Sequence, residues 1–121
     1  MAKRILAVDD QEDNRRILRD LLGSAGFEIL EATTGEQAVT RAEASVPDLI
    51  LMDIQLPGID GYEATRRIKA NPALRGIPVI VVTSYALSGD DAKALAAGAD
   101  SYVAKPFSPR AMLAKVREYL K

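Results

Sequence analysis

Three unbroken apolar tetrads, Ile5-Leu6-Ala7-Val8, Leu49-Ile50-Leu51-Met52 and Val79-Ile80-Val81-Val82, constrain the fold of this chain more than any other feature. Each stops abruptly at a polar residue: Asp9, Asp53 or Thr83. A strand with one wet face alternates apolar and polar side chains, so runs without alternation mark strands covered on both faces. Two mixed stretches complete a set of five. Residues 28–32 carry charges that suit a sheet edge, and residues 101–104 are short and mixed.

Helical patterns fill the gaps. Ile17, Leu18, Leu21, Leu22 and Ala25 repeat at helix spacing, with Arg15, Arg16, Arg19 and Asp20 opposite. Helix starts are marked by Thr34 with Gln37, Asp60 with Glu63, Ser88 with Asp91, and by Ser108 before Pro109. Gly26 and Gly98 stand where helices stop. Five strands alternating with five helices predict an α/β fold with a parallel sheet and helices on both faces, because parallel neighbours need long right-handed crossovers. Periodicity leaves the Rossmann-like and flavodoxin-like strand orders both open.

At 121 residues the chain is expected to form one domain, 1–121. With no Cys and no His it has no thiolate nucleophile, disulfide, zinc-finger ligand or imidazole base. A net charge of −1, two Phe and no Trp argue against direct nucleic-acid binding. No apolar run reaches the roughly 20 residues that span a bilayer, and no signal peptide opens the chain, so the cytoplasm is the expected location.

In open α/β sheets the ligand site lies beyond the carboxyl ends of the strands. There the first strand delivers Asp9-Asp10, the third Asp53, the fourth Thr83-Ser84 and the fifth Lys105-Pro106. Each alone has a plainer explanation: aspartates and hydroxyls form turns, and most lysines are solvated. Together they are complementary. Converging carboxylates repel unless they take up protons or share a cation, and Mg²⁺ suits one or two carboxylates plus phosphate oxygens. Asp9 and Asp10, as neighbours, face opposite ways in a regular strand and reach one ion only where the chain leaves it. Asp53 can then act as nucleophile toward a phosphoryl donor, with Lys105 balancing charge and Thr83 donating its hydroxyl to the arriving group.

These residues closely resemble the receiver domain of two-component response regulators, the CheY-like family, over essentially the whole chain. The resemblance rests on Asp9-Asp10, on Asp53-Ile54-Gln55-Leu56-Pro57-Gly58-Ile59-Asp60-Gly61, on Thr83-Ser84 and on Lys105-Pro106-Phe107, in that order and spacing. It implies the flavodoxin-like order 2-1-3-4-5. It further implies Asp53 as phosphoryl acceptor, and Mg²⁺ or Mn²⁺ held by Asp10 and Asp53, by Asp9 through water and by the Gln55 carbonyl. Lys105 is implied as the phosphoryl-binding lysine, with a cis bond before Pro106, and Thr83 with Tyr102 as the switch pair.

Implied partners are a histidine kinase or histidine phosphotransfer domain, and a downstream protein. The latter reads the helix 4–strand 5–helix 5 face, including Leu87, Lys93, Ala97 and Tyr102, while Ala92, Leu95 and Ala96 are expected in the core. The chain ends after the fifth helix, so no output domain is expected. Leu56 replaces a common Met, and the bulk of Tyr85 is expected to hinder the hydrolytic water. The alternatives fit less well. A haloacid-dehalogenase-type phosphatase or phosphotransferase places an aspartate two residues after its nucleophile, where this chain has Gln55. A flavin or nucleotide carrier needs a phosphate-cradling loop after the first strand, where this chain has two carboxylates. An interaction module that has lost phosphorylation would lack a site residue, and none is missing.

Overall fold

The computed structural model describes residues 2–83 and 90–120. The strands are β1 (Arg4–Val8), β2 (Glu28–Ala32), β3 (Leu49–Asp53), β4 (Val79–Thr83) and β5 (Ser101–Ala104). Alternating with them are α1 (Glu12–Ser24), α2 (Gly35–Ser45), α3 (Gly61–Ala70), α4 (Asp90–Ala96) and α5 (Pro109–Tyr119). All strand pairs are parallel, in the order β2-β1-β3-β4-β5. The fold class is therefore the expected one, and the open choice of strand order falls to the flavodoxin-like arrangement.

The apolar tetrads form the three central strands, because only those are covered from both sides. Leu6, Val8, Ile50 and Met52 point into one core with Ala38, Ala42, Ala64 and Ile68 of α2 and α3. Their strand neighbours Ile5, Ala7, Leu49 and Leu51 point into a second core, with Leu18, Leu22, Met112 and Val116 of α1 and α5. The mixed strands β2 and β5 lie at the edges. Among the described residues no helix is long and apolar enough to cross a membrane.

The helix ends follow the sequence signals. The side chains of Thr34, Asp60 and Ser108 accept from the backbone N–H groups of Gln37, Glu63 and Ala111, and Gly26 and Gly98 take positive φ after α1 and α4. The Ser88 start signal and Tyr85 lie outside the described residues.

Helix α4 corrects one expectation. Ala97 is buried with Ala94, whereas Ala92, Leu95 and Ala96 are exposed, Leu95 at 60%. A segment in which nearly every residue is alanine or leucine offers no polar contrast to fix the helical phase, and packing against Val81 and Ala99 decides it. Helix α1 brings two more corrections. Ile17 on its apolar side is 52% exposed, while Arg15 on the opposite side is only 11% exposed in its side chain.

Val46 closes α2 in the left-handed region, at φ 44° and ψ 67°, directly before Pro47. A β-branched residue there is strained by roughly 1–2 kcal/mol, and at 51% exposure it recovers little by burial. Val46→Asn, which tolerates this conformation, is expected to raise the melting temperature by a few degrees, corresponding to about 1 kcal/mol. An equal or lower melting temperature would show that the position is not strained.

Candidate phosphoacceptor site

β1 has neighbours on both sides that are reached by opposite crossovers, so a crevice opens at its carboxyl end. Parallel register brings the tips of β1, β3, β4 and β5 to this edge. Val8 is opposite Met52, Asp53 opposite Val82, and Thr83 opposite Ala104. The next residues along the chain are Asp9 and Lys105.

Asp9 and Asp53 are buried and Asp10 is exposed, yet one carboxylate oxygen from each lies within 4.8 Å of the others. Lys105 reaches over them, with Nζ 2.9 Å from Asp9 Oδ2 and 3.6 Å from Asp53 Oδ1. Thr83 is buried at the end of β4, and its carbonyl accepts from the Lys105 N–H at 2.6 Å, tying the two strand tips together. The Lys105–Pro106 bond is cis. Asp9 is fixed further by the Gln11 N–H, which donates to Oδ1 at 2.9 Å, and by its own N–H, which donates to the Ala32 carbonyl at 3.1 Å.

Behind Asp53, α3 begins so close that its first residue has to be Gly61: a Cβ there would lie 2.0 Å from the Asp53 carbonyl oxygen. The Gly61 N–H donates to the Ile54 carbonyl at 2.9 Å, closing the loop that carries Gln55.

Burial pushes the Asp53 carboxyl up to about 6, with the Lys105 ammonium opposing the rise and the Asp9 charge adding to it. The N–H groups of Ile54 and Gln55 also favour its ionised form. The all-oxygen donor set of the carboxylate cluster, two members buried, fits a hard divalent cation of the Mg²⁺ class.

Beside the acidic cluster, between α1 and the turn from β5 to α5, lies a cavity of about 460 Å³. Its walls are largely apolar, with Leu18, Leu51, Val82 and Phe107, and Asn14 and Ile17 join them. Asp53 is therefore approached over an apolar wall. Tyr102 stands on the edge strand β5, at 39% exposure.

The structure thus brings together the side chains of Asp9, Asp10, Asp53 and Lys105, ties Thr83 to Lys105 through the backbone, and places Tyr102 one strand position before Val103, which packs into the core. Gln55 follows Asp53 on an exposed turn. Sequence reasoning missed Asn14, Ile17 and Arg15 as neighbours of the site. A charged residue inside an edge strand, Glu31, was the one hint that an arginine of α1 would turn inward.

A family model described as the response regulator receiver domain matches residues 5–117. The polar-differentiation response regulator DivK of Brucella ovis is 39% identical over 120 residues, covering 99% of this chain and 98% of that protein. Among solved structures, the receiver domain of the sensor histidine kinase PA1611 from Pseudomonas aeruginosa, crystallised with a magnesium ion coordinated in its active site cleft, is 38% identical. It superposes with a TM-score of 0.92, covering 99% of this chain and 98% of that one. A CheY-like response regulator receiver domain protein from Methanospirillum hungatei is 36% identical with a TM-score of 0.90, covering 99% and 94%.

Proposed function

The chain belongs to the response regulator receiver domain family, and on that footing we propose that it is a phosphoacceptor switch whose receiver domain spans residues 1–121. Receiver domains are signalling switches rather than turnover enzymes, and membership implies exchange with histidine kinases and with downstream partners. In this reading Asp53 takes the phosphoryl group of a phosphohistidine, on a histidine kinase or a histidine phosphotransfer domain. The observation that carries it is the Lys105 ammonium 3.6 Å from Asp53 and 2.9 Å from Asp9, over three carboxylates gathered within 4.8 Å.

An Asp53 oxygen forms the new O–P bond as the donor's P–N bond breaks, and the imidazole leaves with a proton in place of the phosphoryl group. Asp10 and Asp53, with Asp9 through water and the Gln55 carbonyl, would hold Mg²⁺ or Mn²⁺. When bound, the cation offsets the charge of the carboxylates and of the phosphoryl oxygens. Lys105 meets the same oxygens from the β5 side, and the apolar cavity wall limits access of water to the acyl phosphate.

Thr83 would donate its hydroxyl to a phosphoryl oxygen, drawing the end of β4 toward the site as the Tyr102 ring turns inward. The downstream protein would read this on the face of α4, β5 and α5, to which the exposed Leu95 now contributes along with Lys93 and Tyr102. The protein would catalyse only its own phosphorylation and slow dephosphorylation. The phosphatase alternative finds no support, since the family matched is a different one.

Incubation with acetyl phosphate and Mg²⁺, followed by intact-mass measurement, tests the proposal. The parent is expected to gain one phosphoryl group and Asp53→Asn none. An unlabelled parent, or equal labelling of the variant, would overturn it, and continuous turnover of the phosphate donor would favour a phosphatase instead.

A further inference from the structure

The acidic corner poses a geometric problem that the site residues alone do not solve. Adjacent residues in a strand point to opposite faces; Asp9 and Asp10 follow the end of β1 at Val8, and there both bring an oxygen within 4.8 Å of the other and of Asp53. The peptide plane that joins them has to be turned and held. That plane carries the Asp9 carbonyl and the Asp10 N–H, and Arg15 grips the carbonyl: Nη1 donates to that oxygen at 2.8 Å.

The guanidinium is in turn held by carboxylates on two elements. Its Nε donates to Glu31 Oε1 at 3.0 Å, on the edge strand β2, and its Nη2 donates to Glu12 Oε2 in the first turn of α1. Arg19 closes the ring, donating to both Glu31 oxygens at 2.9 and 2.8 Å and to Glu12 Oε1 at 3.0 Å. A planar fork pinned at three points is a rigid support, which a flexible ammonium could not supply. With its side chain 11% exposed, Arg15 is also the least solvated member of the network.

We propose that Arg15 is a positioning residue for the cation site: by clamping the Asp9 carbonyl against Glu31 it sets the direction of both aspartates, and so the affinity for the divalent ion. This rests on the reading of Asp9, Asp10 and Asp53 as a cation site. Its distinctive feature is the sign of the expected effect. Arg15 is itself a cation beside a cation site, so on Coulomb repulsion alone its removal tightens metal binding. A positioning role predicts the opposite.

The test is Mn²⁺ titration of the full chain, following the free-ion signal by electron paramagnetic resonance, with folding checked by circular dichroism. Arg15→Met is expected to weaken binding on the order of tenfold, the loss typical of a supporting partner behind metal ligands. Arg16→Met removes the same charge from an exposed position on the same helix and is expected to leave affinity unchanged or slightly tighter. Glu31→Gln, which keeps the arginine but loosens its hold, is expected to weaken binding by a smaller factor. Binding by Arg15→Met as tight as the parent's would overturn the inference. If that variant does not fold, unchanged affinity in Glu31→Gln would do the same. Failure of the cation reading itself looks different: the parent would show no saturable binding that Asp10→Asn removes.

Discussion

Asp53→Asn is expected to raise the melting temperature of the metal-free protein near neutral pH, with the gain disappearing in acid. The folded chain holds the Asp53 proton up to about pH 6, against 3.8 for a free aspartate, chiefly because burial disfavours the charge. The folded state thus binds the proton more tightly than the unfolded state does. The stability this provides is fully present below the unfolded value and is lost as pH rises through the folded one. Above that window the buried carboxylate costs on the order of 2–3 kcal/mol, which asparagine removes while keeping size and shape.

Melting curves of parent and variant between about pH 4 and pH 8 check this, since they should converge at the acid end and separate above the folded value. Curves that stay parallel across the range would mean that Asp53 titrates normally. Added Mg²⁺ should invert the comparison near neutral pH. A ligand that binds only the folded state stabilises it by mass action, and the parent carries one more carboxylate for it. A parent that Mg²⁺ leaves unshifted would contradict the cation reading.

Gly61→Ala is expected to lower the melting temperature by roughly 5–15 °C, from a loss of about 2–3 kcal/mol. The added methyl would meet the Asp53 carbonyl oxygen at 2.0 Å and the Ile54 Cα at 2.8 Å. Both are backbone atoms at the end of a fully buried strand and cannot swing aside as a side chain would. Because the displaced atom belongs to Asp53, the proposed phosphoacceptor, labelling by acetyl phosphate should also slow, on the order of tenfold or more, at temperatures where the variant remains folded. A parent-like melting temperature would mean that α3 can retreat from β3 without cost. Slow labelling at full stability would place the effect in the site alone.

The central strands and most helix ends were readable in the residues because each rests on a local cause: continuous apolar burial at β1, β3 and β4, and capping oxygens at Thr34, Asp60 and Ser108. Strand order was not, since nothing in periodicity distinguishes which neighbour β1 receives on each side; it came from family resemblance. The clustering of Asp9, Asp10, Asp53 and Lys105 was foreseeable from one topological rule, that strand tips in a parallel sheet share an edge.

What escaped was the environment of individual side chains. The phase of α4 was lost in an alanine-rich segment. Arg15 was read as solvent-facing because its partner, Glu31, lies on another element. The left-handed Val46 broke the usual preference for Gly or Asn at a helix end and left no trace to read.

The ion pair between Asp9 and Lys105 joins residues 96 positions apart. A contact of that span closes a loop over most of the chain and needs β5, the last strand in sequence, in place against β4. If Asp53 is the acceptor, chemical competence doubles as a certificate of completed assembly: a chain without its final strand in place has no ammonium over Asp53. On the proposed function such a chain is expected to accept a phosphoryl group poorly, so that an unfinished molecule would carry no signal.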